Sequence, residues 1–214
     1  MGWLWIARLG GIALNEFKIR PYHPSDLLML YRICLETVFG GAAVIAQYTD
    51  PDLLGHFYAA PYAVLEPDLC FVLTSDGAPC GYILGTRDTA AFRAACELEW
   101  FGVLRARYPL PLETDDTRDA AMIRLIHAGQ PSGADFPDYP AHLHIDLLPH
   151  AQGGGWGRAL VTRFLGTLRE LGVRGVHLGV GARNVGAVKF YQRMGFHLLS
   201  ESNGALWYGQ RLEM

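Results

Sequence analysis

Leu147-Leu148-Pro149-His150-Ala151-Gln152-Gly153-Gly154-Gly155-Trp156-Gly157-Arg158 is the stretch that decides how this chain is read. An apolar, strand-like run stops at Pro149. Four glycines follow within the five residues 153–157, and a helix-forming segment begins. Glycine admits backbone conformations closed to other residues and lets a ligand approach the main chain closely. The first N–H groups of a helix have no intrahelical acceptor, and the helix dipole adds about half a positive charge there. The stretch therefore predicts a phosphate or pyrophosphate held by the amides of Gly153 to Arg158, with Arg158 adding charge; a flexible turn that binds nothing is the plain alternative. A P-loop would need Gly-Lys-Ser/Thr where this chain has Trp156-Gly157-Arg158. A dinucleotide fold would need an acid at the end of the next strand, which instead reads Leu178-Gly179-Val180-Gly181.

Outward from this turn, 141–148 reads as a strand and 155–171 as a helix stopped by Gly172. The segment 175–180 reads as a strand, and 184–194 as a helix capped by Asn184. Strands follow at 196–200 and 206–212. Upstream, 16–20 alternates as a strand, and a helix starts near Pro24-Ser25-Asp26 with Ser25 or Asp26 as its cap. Asp50-Pro51-Asp52 opens a second helix. Two strands, 70–74 and 80–85, are joined at Asp76-Gly77, a strong hairpin signal. Residues 88–107 read as helical, and 108–140 is proline-rich and irregular around a short helix at 119–127. This order describes a mixed sheet with helices on both faces. Residues 16–214 form one domain with an insertion around 88–140, and 1–15 form an apolar N-terminal extension.

The chain has 214 residues, half of them apolar, with 18 Lys+Arg against 21 Asp+Glu. It can bury a core, and its net charge of −3 excludes nucleic-acid binding through bulk positive charge. The apolar run 3–9 is interrupted by Arg8 and too short to span a membrane, so no membrane association is expected. Four scattered cysteines without a CxxC pair read as reduced thiols of a cytoplasmic protein.

Alternation along 141–147 puts His142, His144 and Asp146 on one face and Leu143, Ile145 and Leu147 on the other. A polar trio on a buried strand is costly unless it is hydrogen-bonded or functional. Two readings stand: a structural His–Asp network, or substrate binding by His144 with Asp146 as a base. His142-x-His144 lacks a third ligand at metal spacing, so no metal is expected. Tyr191 alone reads as a core aromatic, and Phe71 and Tyr82 read as core.

Gln152-Gly153-Gly154-Gly155-Trp156-Gly157 matches Gln/Arg-x-x-Gly-x-Gly/Ala. Together with Asn184 and Phe190-Tyr191-x-x-x-Gly195-Phe196, it resembles the GNAT superfamily of acyl-CoA-dependent N-acyltransferases over about residues 141–200. The phrases at 48–56, 61–68 and 141–149 resemble bacterial homologues of the acetyltransferase-like C-terminal domain of O-GlcNAcase. The resemblance implies a mixed, mostly antiparallel central sheet flanked by helices on both faces, with acetyl-CoA as co-substrate lying between the fourth and fifth strands. It implies that Leu147 and Leu148 bind the acetyl carbonyl and the pantetheine arm, and that Gln152 to Arg158 hold the pyrophosphate. Asn184 would bind the arm, and Tyr191 would sit by the sulfur and protonate the thiolate. It places Tyr48, Asp50, Asp52 and His56 at the border of the acceptor amine, a role that competes with helix capping. The activity implied is direct transfer of acetyl to a primary amine of a small molecule or peptide, in a family that often forms homodimers. The alternatives are a catalytically silent acetyl-CoA-binding domain and a protein-interaction module whose glycine turn is empty.

Overall fold

The computed structural model describes residues 16–37, 46–130, 136–202 and 204–213. The predicted extension at 1–15 lies outside them. The described strands are β1 (Phe17–Pro21), β2 (Phe71–Ser75), β3 (Ala78–Thr86), β4 (Ala141–Leu147), β5 (Gly175–Gly181), β6 (His197–Ser202) and β7 (Ala205–Arg211). They form one sheet in the order β1-β2-β3-β4-β5-β7-β6. Every pairing is antiparallel except β4 with β5. The predicted hairpin between β2 and β3 turns on Asp76 and Gly77 at φ 50° and 84°, the two positive values that a type I′ turn demands.

Between β1 and β2 lie α1 (Leu27–Thr37), α2 (Asp52–Tyr58) and α3 (Ala60–Leu65). The α1 entry differs from the expectation. His23 is the cap, its Nδ1 accepting the Ser25 N–H, while Asp26 accepts the His23 N–H and a bidentate pair from Arg20 at 2.6 and 2.7 Å. Asp26 thus completes a reciprocal capping box with His23 while the guanidinium fork on β1 engages both its oxygens. Between β3 and β4 the chain forms α4 (Thr89–Ala95), a π-helical run at Cys96–Phe101, α5 (Gly102–Arg107) and α6 (Arg118–Ala128). Asp88 caps α4 by accepting from the Ala90 and Ala91 N–H groups.

The sheet separates two cores. On one face, α7 (Trp156–Glu170) buries Leu160, Val161, Phe164, Leu165 and Leu168, a stripe at helical spacing, beside α8 (Val185–Arg193). Gly172 at φ 70° ends this helix, with the Val173 N–H returning to the Leu168 carbonyl at 3.0 Å. On the other face, α1 to α6 cover Val72, Tyr82 and Leu84. At Gly85 the first layer presses on the sheet: a methyl there would strike the His142 carbonyl and the Phe164 ring. Gly85→Ala is expected to lower unfolding free energy by about 2 kcal/mol, read as a reduced denaturant midpoint at unchanged slope. An unchanged midpoint would contradict that contact.

Candidate active site

The feature that makes a site is a gap in the middle of the sheet. The Leu148 N–H donates to the Cys80 carbonyl at 2.9 Å, and Asp146 and His144 lie opposite Tyr82 and Leu84. In an antiparallel ladder alternate residues turn their main-chain groups to alternate sides. The main chain of His144, Asp146 and Leu148 therefore faces β3, and that of Leu143, Ile145 and Leu147 faces β5. Yet β5 pairs with β4 only at Ala141↔Val176 and His142↔His177. Beyond those two rungs the strands diverge. Of the two leucines expected to serve a ligand through main-chain groups, Leu147 is the one whose N–H faces the gap. Its carbonyl accepts from the Gln152 side-chain amide at 2.8 Å.

At the mouth of this gap stands the glycine turn. Gly153 and Gly155 take φ 81° and 84°, and open space surrounds the position of a Cβ at each. The first helical bond of α7 joins the Ala159 N–H to the Gly155 carbonyl, and Gly155 provides no side-chain cap. The N–H groups of Trp156, Gly157 and Arg158 thus enter the helix without an acceptor inside it. The Trp156 ring stacks on Phe17, 5.3 Å between centroids, with its pyrrole edge against Gly154. Asn184 caps α8, its Oδ1 accepting the Ala187 N–H at 3.1 Å, which leaves its amide NH₂ as the donor.

A cavity of about 1100 Å³ opens on the other side. His142, His144 and Asp146 of β4 line it, with β5 from His177 to Gly181, Asn184, Tyr58, Tyr62 and Trp207. The polar groups of this wall are held by specific partners. His142 is held between the Tyr62 hydroxyl at 2.7 Å and the Thr89 hydroxyl at 2.8 Å. Burial, then the neighbouring His144 and His177, pushes its pKa well below the ordinary imidazole value. Burial lowers His144 to about 4, so both rings are neutral at pH 7. Asp146 accepts a 2.6 Å hydrogen bond from the Tyr82 hydroxyl. Burial raises its pKa, opposed chiefly by the hydrogen bond from Tyr82. Tyr191, on α8, is 9% exposed among Phe190 and Phe196. Burial and then the Asp146 charge raise its phenol well above the ordinary value. Tyr191 belongs to the core under α7 and α8 and is not among the residues that line the cavity.

Tyr48, Asp50, Asp52 and His56 are not part of this cavity lining. They belong to a network that ties the start of α2 to later elements. Asp50 accepts from the Tyr108 hydroxyl at 2.8 Å and from the Asp52 N–H at 2.9 Å. Asp119 of α6 accepts the Thr49 and Asp50 N–H groups. His56 Nδ1 pairs with the Tyr31 hydroxyl at 2.7 Å, and burial lowers its pKa. Tyr48 packs against the second core. Conversely, sequence reasoning did not single out Cys34, Tyr58, Tyr62 or Trp207. Tyr82 was assigned to the core, where its ring indeed lies fully buried, without notice of its hydroxyl. Among the described residues no group of three or more His, Cys, Asp or Glu could hold a metal ion, and no helix is long and apolar enough to cross a membrane.

The sequence pattern of the Acetyltransferase (GNAT) family matches residues 113–196, which hold β4, the glycine turn, β5 and α8. The chain belongs to the GNAT acetyltransferase family. It is similar to the crystal structure of SsHAT, with TM-score 0.84 and 39% identity over 92% of this chain and 99% of that one. Protein O-GlcNAcase of Rattus norvegicus is 27% identical over 191 residues, 88% of this chain; the chain spans 21% of that protein's length. The fold also matches yncA of Salmonella typhimurium, solved with acetyl-CoA, with TM-score 0.54 at 14% identity over 92% of this chain and 94% of that one.

Proposed function

We propose that the chain is an acetyl-CoA-dependent N-acetyltransferase that transfers acetyl directly to a primary amine of a small molecule or peptide. The observation that carries this is the divergence of β4 and β5. It leaves the Leu147 N–H facing a gap between an anion-ready helix start and a cavity that holds Asp146. Acetyl-CoA, when bound, supplies the activated thioester acyl group. The amides from Gly153 to Arg158, with the Arg158 and Gln152 side chains, hold its diphosphate. The free amide NH₂ of Asn184 serves its arm. The Leu147 N–H stabilises negative charge developing on the carbonyl oxygen, and one such donor is worth roughly 3 kcal/mol.

Asp146 takes a proton from the incoming ammonium, which must be neutral to attack. Its raised pKa makes it a stronger base than an ordinary carboxylate. As the N–C bond forms and the C–S bond breaks, Tyr191 gives its proton to the departing sulfur, a step that a phenol kept protonated by its surroundings can perform. His144 forms the acceptor wall beside Asp146.

The test is release of free coenzyme A from acetyl-CoA across a panel of primary amines. Tyr191→Phe is expected to slow turnover about 10²-fold while acetyl-CoA affinity by calorimetry stays within about twofold. Full activity in that variant would remove Tyr191 from the acid role. Acetyl-CoA binding without turnover on any amine would favour a silent binding domain instead.

A further inference from the structure

We propose that Tyr82, backed by the Cys34 thiol, is the positioning residue that keeps Asp146 charged and directs its second oxygen into the cavity. This rests on the reading of Asp146 as the base. Tyr82 on β3 and Asp146 on β4 are direct cross-strand partners with side chains on the same face. Tyr82 is fully buried, and its hydroxyl hydrogen goes to Asp146 Oδ2 at 2.6 Å. Cys34 of α1 is also fully buried and lines the same cavity. A phenol has a single hydrogen. With that hydrogen committed to the carboxylate, the phenol oxygen is left as an acceptor. In the proposed chain the Tyr82 O–H serves Asp146, and the Cys34 S–H supports the phenol oxygen from behind. Each donor polarises the next toward the negative charge.

The surroundings explain why such a chain is needed. Among the described residues, no salt bridge links Asp146 to a cation. The groups facing it are Cys34 and Thr37 of α1, Tyr82 of β3, its strand neighbour His144 and, by its charge, Tyr191 of α8. Beyond Cys34 lies Tyr58 of α2. Burial pushes Cys34 and Tyr58 up to about 12, and lowers His144 to about 4. Every one of these neighbours is neutral at pH 7. Arg93 and Arg183 line the same cavity but are not among the groups that shift Asp146, so short neutral donors have to offset the desolvation of the carboxylate. Thr37 spends its own hydroxyl hydrogen on the Ile33 carbonyl at 2.7 Å, so Tyr82 is the principal donor.

The experiment is the pH profile of kcat/KM for coenzyme A release in the full chain. Tyr82→Phe removes one oxygen from an otherwise unchanged ring. It is expected to move the acidic limb to higher pH, so that rates below the limb fall about tenfold to a hundredfold. Rates above the limb and the KM for acetyl-CoA are expected to stay within about threefold. Cys34→Ala is expected to move the limb the same way by a smaller amount, and Cys34→Ser, which keeps a donor, to leave it in place. These two variants carry the test if Tyr82→Phe fails to fold. A uniform loss at all pH values, or an unmoved limb in Tyr82→Phe and Cys34→Ala, overturns the proposal. If Asp146→Asn is inactive in that case, the base assignment stands and only the role of Tyr82 falls. An Asp146→Asn enzyme that keeps both rate and limb overturns both.

Discussion

Asp146→Asn is expected to reduce turnover about 10²- to 10⁴-fold and to leave acetyl-CoA affinity within about twofold. The amide is nearly isosteric and can still accept the Tyr82 hydrogen bond, so the cavity wall survives while the proton acceptor is lost. The sign of the pH effect follows from burial. The folded carboxyl has a raised pKa, so it is protonated and unable to accept a proton over a wider acidic range than an exposed aspartate. Wild-type kcat/KM should therefore climb as pH rises through that raised pKa, about tenfold per pH unit below it. The Asn variant should lack this limb. Coenzyme A release measured from pH 4 upward checks both statements, and undiminished turnover in the variant would return His142, His144 and Asp146 to a purely structural network.

Gly155→Val is the second change with a large expected effect. Gly155 sits at φ 84°, where a side chain costs about 1–2 kcal/mol, and more for a β-branched one. Nothing crowds the position, so the fold has no steric quarrel with the new side chain. The cost falls on the shape of the turn and on the aim of the Trp156, Gly157 and Arg158 amides. Acetyl-CoA Kd is expected to rise at least about tenfold, since each 1.4 kcal/mol is worth that factor. Gly166→Ala is the control: it lies within the same helix, in open space at ordinary helical φ, and should keep wild-type affinity. Calorimetry on the two variants decides it, and equal affinities would mean that the turn does not grip the ligand.

Local signals carried much of the architecture. Period-two alternation located β4 and sorted its polar and apolar faces, because the two cores on either side of the sheet enforce that sorting. Gly172, Gly195 and Asn184 marked helix ends through backbone chemistry legible in a few residues. The role of Asp26 was not legible, because its carboxylate answers to Arg20 on a different element. The network around Asp50 and His56 was equally hidden. Its partners Tyr31, Tyr108 and Asp119 lie between 25 and 69 residues away in the chain. Tyr82 shows the same limit from the other side: its burial could be read, but its hydroxyl acquires a purpose only through the register between β3 and β4. The two-rung contact of β4 with β5 also depends on how α7 and α8 seat on the sheet, which no short motif records.

The parting of β4 from β5 also bears on the stability of the sheet. A sheet unzipped at its centre has surrendered cross-strand bonds that neighbouring pairs retain. Whatever fills the wedge becomes, in effect, an eighth strand made of something other than polypeptide. On the proposed function, acetyl-CoA seated there would add its own bonds to the sheet, and its binding is expected to raise the unfolding midpoint.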